Sequence, residues 1–227
     1  MYLNLLDQLT LLALDDDKGN FVSDSIALPY ALAGGVMMEL ALKEKIGLHN
    51  DRVVVKDSSS TSDIMLDKHL DIIIASNKEK KLRYWVNNFG SSFKRLKYES
   101  LDKLIDLNIL ERKEGKILWI IPTTHYPTQN QQPENEIRRR LASIMTHQLK
   151  PNAEDVMLLG LVSASGLIKE VFGKENRRAY KKEIKQLLES DKMGQVTSQA
   201  IQEINESIAT IIAVVATTAA VTASTAS

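Results

Sequence analysis

The stretch ALAGGVMMELALKEKIGL, Ala31 to Leu48, sets two adjacent glycines inside a run with the apolar spacing of a helix. Each glycine in a helix interior costs about 1 kcal/mol relative to alanine. Such a pair belongs where phosphate is cradled, where another backbone packs closely, or where the helix breaks. A phosphate loop needs GxxxxGKS at the mouth of a helix, or GxGxxG after a strand, and neither pattern is present. Tyr30 to Ala33 before the pair and Val36 to Leu40 after it are all helix-compatible. Gly34 and Gly35 are therefore expected to mark the place where a second helix, or a hairpin, presses on this one.

The rest of the chain reads as helices of ordinary length with little strand. Leu3, Leu5, Leu6, Leu9, Leu12 and Leu14 form a stripe that ends in the turn Asp15 to Asn20. Leu28 to Ile46 reads as the glycine helix, with Pro29 in its first turn and Gly47 as its stop. Arg52 to Lys56 reads as a short strand, and a serine-rich loop to Asp63 supplies a helix cap at Ser62 or Asp63 before Ile64 to Ala75. A helix through Leu82, Trp85, Val86 and Phe89 breaks at Gly90-Ser91-Ser92, and another runs from Phe93 through Leu107. Glu111 to Gly115 is expected to turn into Lys116 to Ile121 as the second strand of a β-hairpin, followed by a polar loop from Thr123 to Pro133. Further helices are expected over 134–149, 153–166, 176–190 and from 198 onward. The expected fold is mainly α: one domain over residues 1–227, a helical bundle with a protruding β-hairpin and a frayed tail from about residue 218.

Several function classes are excluded or unsupported. With no cysteine, the chain has no disulfide, no Cys-ligated zinc and no thiol nucleophile. His49, His69, His125 and His147 lack metal-ligand spacing, and no serine stands in a GxSxG elbow, so no metal, no cofactor and no enzymatic activity are expected. His125 is expected to make a local hydrogen bond in a turn. Twenty-nine basic residues balance twenty-nine acidic ones, which leaves attraction to polyanions to local patches. The leucine-rich N-terminus lacks the basic region of a signal peptide and is interrupted by Asp7 and Gln8, which points to a cytoplasmic protein. Ile208 to Ser227 is uncharged but rich in threonine and serine, and reads as a buried terminal helix rather than a membrane span.

The basic run Phe93-Lys94-Arg95-Leu96-Lys97 is the sharpest binding candidate. Lys94 and Lys97 stand three apart and share a helix face, while Arg95 turns to a neighbouring one. Arg138 to Arg140, and Arg177, Arg178, Lys181, Lys182 and Lys185, read as solvated helix faces. Trp119 and Ile120 in the hairpin run ILWII read as core or as a membrane-surface contact. A helix followed by a charged turn and a strand also describes a winged-helix DNA-binding domain, with Lys94, Arg95 and Lys97 on phosphates. Neutral charge and the lack of a basic recognition helix count against nucleic acid. A third alternative is a protein-interaction module with no lipid ligand.

Five segments occur in an order that resembles one family. They are LTLLALDDDKG (Leu9 to Gly19), the GG-xxx-EL-A core at Gly34 to Ala41, IMLD (Ile64 to Asp67), LxxLIDLNIL (Leu101 to Leu110) and TTHYP (Thr123 to Pro127). The ordered set resembles the Golgi phosphoprotein 3 family, and a chain beginning almost at the first shared helix resembles its prokaryotic branch. The resemblance implies a peripheral membrane adaptor that binds phosphatidylinositol 4-phosphate, or anionic phospholipid generally, together with membrane-protein tails, on the cytoplasmic membrane face. It also implies homo-oligomer contacts through the hairpin. The arginine pair of the family's head-group pocket falls on Lys94 and Lys97, while its other arginine and its tryptophan fall on Ala33 and Asp24.

Overall fold

The computed structural model describes residues 2–15, 17–22, 27–117, 121–188, 207–212 and 214. Two central helices organise it. In α1 (Leu5–Leu12), Asn4 caps the first turn: its side chain accepts from the Asp7 amide, and the Asp7 carboxylate accepts from the Asn4 amide. All eight residues of α1 are buried, Asp7, Gln8 and Thr10 included, so the leucine stripe belongs to a helix enclosed on every side. In α2 (Ala27–Leu42), Pro29 lies in the first turn and burial is almost continuous from Ala31 to Ala41.

Other elements close around this pair. Asp63 accepts from the amides of Met65 and Leu66 to start α3 (Ile64–Ile74), which packs on α2. Next come α4 (Leu82–Ser91) and α5 (Phe93–Asp106), both against α2, with α5 also against α1. The second half supplies α6 (Gln132–Met145), α7 (Ala153–Ala164), α8 (Ile168–Phe172) and α9 (Arg177–Leu188). Here α7 packs on α1 and α2, and α9 packs on α7 and α8. The architecture is mainly α, with two small antiparallel two-stranded sheets among the described residues.

Both glycines are packing contacts. A Cβ on Gly34 would stand 2.6 Å from Cγ2 of Ile208, in a helical stretch over 207–212, and 3.3 Å from Cδ2 of Leu161 on α7. At Gly35 the nearest atoms are the Leu6 amide nitrogen at 3.5 Å and Leu161 Cδ1 at 3.6 Å, ordinary van der Waals distances. The pair therefore separates in its response to alanine. Gly35→Ala is expected to stabilise by up to about 1 kcal/mol through helix propensity. Gly34→Ala is expected to cost about 1–3 kcal/mol, because the branched methyl of Ile208 cannot swing aside. Urea midpoints for the two variants check this contrast.

Three expectations need correcting. Helix α2 stops at Leu42, and Glu44 takes a left-handed φ of 55°. Ile46–His49 then forms β1, antiparallel to β2 (Arg52–Val55), with Ile46 opposite Val55 and His49 opposite Arg52. Asn50 and Asp51 both have positive φ (49° and 60°), the backbone a two-residue hairpin turn requires. Gly47 thus lies within a strand and is not the helix stop. In the second hairpin, β3 (Lys113–Ile117) pairs with β4 (Ile121–His125), Ile117 facing Ile121. The expected turn, Glu111 to Gly115, overlaps the first strand, and Thr123 to His125 belong to the second strand rather than a loop. Trp119 and Ile120 lie outside the described residues. The tail from about residue 218 also lies outside them, and within 207–212 Ile208, Ile211 and Ile212 are buried.

Candidate functional site

The junction between α4 and α5 builds a cleft. Helix α4 runs through Gly90, whose missing Cβ admits the Tyr30 ring: a Cβ there would lie 2.8 Å from Tyr30 Cδ1. Ser92, with φ −91° and ψ 29°, breaks the path between the helices. Helix α5 turns Leu96, Leu101 and Leu104 into the core, which leaves Lys94 and Arg95 exposed and Tyr98 38% exposed. Those three side chains, with Ser91 and Ser92, line a concavity of about 380 Å³. Neither Lys94 nor Arg95 has a side-chain ion pair or hydrogen bond among the described residues.

The expected grouping shifts by one residue. The cleft wall holds Lys94 and Arg95, whereas Lys97 does not line it: it is half-buried, its Nζ 4.7 Å from the ring centre of Phe21 and 5.9 Å from that of Tyr98. Burial holds the Lys97 ammonium pKa below its ordinary value, and the ring faces offset part of the lost hydration. Ala33 is fully buried, so the position of the family's third cation lies in the core of this chain. Asp24 lies outside the described residues. Phe21, Ser91, Ser92 and Tyr98 were not singled out as site residues by the sequence; the signal that could have found Tyr98 is an aromatic next to a basic run.

A buried ionic network fixes the other end of α5. Lys103 Nζ donates to the Asp7 carboxylate at 2.5 Å and to Asp63 at 2.6 Å, tying α5 to α1 and to the cap of α3. Asn4 Nδ2 donates to Asp63 at 3.0 Å, and Ser100 Oγ lies 3.0 Å from Thr10 Oγ1. Burial pushes the Asp7 carboxyl up to about 6, although Lys103 pulls the other way. Asp63 is less enclosed; burial acts on it too, but its bonds from Lys103 and the Leu66 amide outweigh burial and hold its pKa down. The cations at the start of α5 are thus carried on a helix that cannot easily slide.

Two of the ordered segments meet in space. The Tyr126 amide donates to the Gly19 carbonyl at 3.0 Å, and His125 Nδ1 lies 3.2 Å from Asn20 Oδ1. His125 therefore contacts a turn more than a hundred positions away, where a local hydrogen bond was expected. Gly19 has φ 60°, and a Cβ on it would lie 2.2 Å from the Tyr126 carbonyl carbon. This contact holds the 17–22 turn, and hence Phe21, against the base of the second hairpin.

A larger concavity of about 790 Å³ lies elsewhere, lined by Tyr2, Gln8, Arg139, Arg140 and Glu154 among others. Most of its charge is already used. Arg140 pairs with Asp155 at 2.8 Å and donates to Gln8 at 2.8 Å, and Gln8 donates to Glu154. Size alone therefore does not make it the better anion site: Arg139 is its one cation with no side-chain partner among the described residues, whereas the smaller cleft sets two, Lys94 and Arg95, side by side.

The sequence profile of the family described as Golgi phosphoprotein 3 (GPP34) matches residues 5–207, nearly the whole chain. The chain belongs to the Golgi phosphoprotein 3 family. Among similar proteins, the Vacuolar protein sorting-associated protein 74 of Schizosaccharomyces pombe is 25% identical over 170 residues, 65% of this chain and 49% of the relative. The protein of that name from Eremothecium gossypii is 26% identical over 166 residues, 63% of this chain and 49% of the relative. The matched part of this Golgi phosphoprotein 3-family chain spans about half the length of these curated relatives. Among its described residues, no helix is long and apolar enough to cross a membrane.

Proposed function

We propose that this chain is a non-enzymatic peripheral adaptor that binds anionic phospholipid head groups, phosphatidylinositol 4-phosphate among them, at the start of α5. The observation that carries the reading is the pair of uncommitted cations, Lys94 and Arg95, beside the Tyr98 ring and the hydroxyls of Ser91 and Ser92. Two charges in one concavity suit a phosphate monoester, the hydroxyls and phenol suit a polyol ring, and Lys97 adds a third charge next to the Tyr98 ring. Family membership supports the same reading, and the relatives' name speaks of vacuolar protein sorting. In this reading the adaptor acts on the cytoplasmic membrane face, holds membrane-protein tails, and self-associates through the second hairpin, with Trp119 and Ile120 at the contact.

Vesicle co-sedimentation tests the head-group claim. Vesicles of neutral lipid, of neutral lipid with phosphatidylserine, and of neutral lipid with phosphatidylinositol 4-phosphate are compared at low and moderate salt. A preference for the phosphoinositide that survives added salt is expected. Each basic group near an anionic surface contributes about 1 kcal/mol, so the double variant Lys94→Glu/Arg95→Glu should lose phosphoinositide binding by at least about 30-fold. Its stability should change by no more than about 0.5 kcal/mol, since both side chains are exposed. Undiminished phosphoinositide preference in the folded double variant would place the site elsewhere.

A further inference from the structure

The cleft on α5 leaves the most basic segment of the chain unused. From Lys174 to Lys185 the sequence carries six cations, Lys174, Arg177, Arg178, Lys181, Lys182 and Lys185, against two carboxylates, Glu175 and Glu183. In the structure Lys174, Arg177, Arg178, Lys181 and Lys182 are all exposed, and none forms an ion pair among the described residues. Glu183 Oε1 lies 3.1 Å from His147 Nε2, and Glu175 folds back over the Gly173 turn. At 3.6 residues per turn the cations of α9 occupy one continuous arc of roughly 140°.

The apolar side of α9 is already spent. Ile184 is fully buried, Leu187 packs against the core, and Tyr180 meets the Phe172 ring edge-on at 5.2 Å. The helix therefore has no apolar face left to insert into a bilayer. No exposed aromatic stands among the cations, so there is no platform for stacking bases. Neither of the two concavities described above is lined by these side chains. Positive charge spread along one exposed helix face suits an extended anionic surface better than a single small ligand.

Position in the bundle gives this patch its meaning. Helix α5 packs on α1 and α2, these pack on α7, and α7 carries α9. The buried central pair and α7 therefore separate α9 from α5.

We propose that the exposed face of α9, Arg177, Arg178, Lys181 and Lys182, is a second anionic-membrane contact, separated from α5 by the central pair and α7, and that the protein bridges two lipid surfaces. The bridging rests on the α5 reading above, whereas the α9 contact stands without it. The full chain is mixed with phosphatidylserine vesicles at low salt, and both co-sedimentation and vesicle clustering by light scattering are read. Wild type should bind and cluster these vesicles, and clustering should disappear at about 1 M salt, where the Debye length is about 3 Å. The variant Arg177→Glu/Arg178→Glu/Lys181→Glu/Lys182→Glu should still bind through α5 yet lose clustering, and the corresponding alanine variant should weaken it in the same direction. The α5 variant Lys94→Glu/Arg95→Glu should also bind without clustering; if it alone behaves as wild type, the α5 reading fails while α9 stands. Clustering by the folded α9 glutamate variant at the wild-type level would overturn the proposal. So would wild type that binds vesicles without clustering them, or that prefers duplex DNA to vesicles through the same four residues.

Discussion

Lys103→Met should cost about 3–5 kcal/mol of stability, the largest loss expected from any single side chain of α5. The lysine stem would be replaced by one of similar volume, so the loss is electrostatic. Asp7 has no exposed side-chain surface, and its carboxylate would be left in the core without its counter-charge. Asp63, partly exposed, would suffer less. The double variant Asp7→Asn/Lys103→Met should recover much of the loss, since the uncompensated buried charge goes with it. The same pair sets a pH dependence. The folded pKa of Asp7, about 6, stands above its ordinary 3.8, so between roughly pH 4 and 6 the native state holds a proton that the unfolded state has released. Its contribution is therefore most favourable below that window and declines as pH rises through it, by a total on the order of 3 kcal/mol. Asp63 works in the opposite direction and lower on the scale, because its folded pKa is depressed and its contribution fades only in acid. Urea unfolding of wild type and Asp7→Asn at pH 4, 5, 6 and 7 should show the variant gaining relative to wild type as pH rises.

Gly19→Ala should lower stability by about 3 kcal/mol or more, through two effects that add. The residue holds φ 60°, which costs a non-glycine residue of order 1 kcal/mol or more. The new Cβ would also fall 2.2 Å from the Tyr126 carbonyl carbon and 2.3 Å from the Pro127 nitrogen, backbone atoms that cannot rotate away. Relief would come only from parting the 17–22 turn from the hairpin base, which breaks the Tyr126 to Gly19 hydrogen bond and withdraws Phe21 from Lys97. A thermal unfolding midpoint well below that of wild type, together with weaker phosphoinositide binding, is the expected pair of results. Wild-type stability would show that the turn is not held there.

The sequence carried the helical skeleton because helices are read from periodicity, and their buried faces repeat every three or four residues. The glycine pair was legible for the same reason, and Leu6, Leu161 and Ile208 are the neighbours it called for. Strands were legible only where apolar residues marked them. In β3, KEGKI, Lys113 and Glu114 are exposed, so no alternation announced it, and the apolar run ILWII drew the strand assignment to itself. Ile46-Gly47-Leu48 continued the apolar run of α2, and only the Asn50-Asp51 pair hinted at a hairpin.

The candidate site was legible as a charge run but not as a geometry. Helical spacing placed Lys94 with Lys97, yet the cleft is shaped by the α4–α5 break, which brings Ser91 and Ser92 beside Lys94 and Arg95. Contacts such as Lys97 over Phe21 join residues 76 positions apart, and no local pattern encodes them. The Lys103 network had one visible sign, an aspartate inside a leucine-rich stripe, which read as an interruption.

Titration of the isotopically labelled full chain with a short-chain, water-soluble phosphatidylinositol 4-phosphate, followed by amide chemical shifts, tests the α5 site most directly. The predicted result is saturable shifts confined to Ser91 through Tyr98 and the facing turn at Phe21, with the α9 amides unmoved because that face takes surfaces rather than single head groups. Shifts centred on the Tyr2 and Arg139 cleft, or no shifts at all, would contradict it.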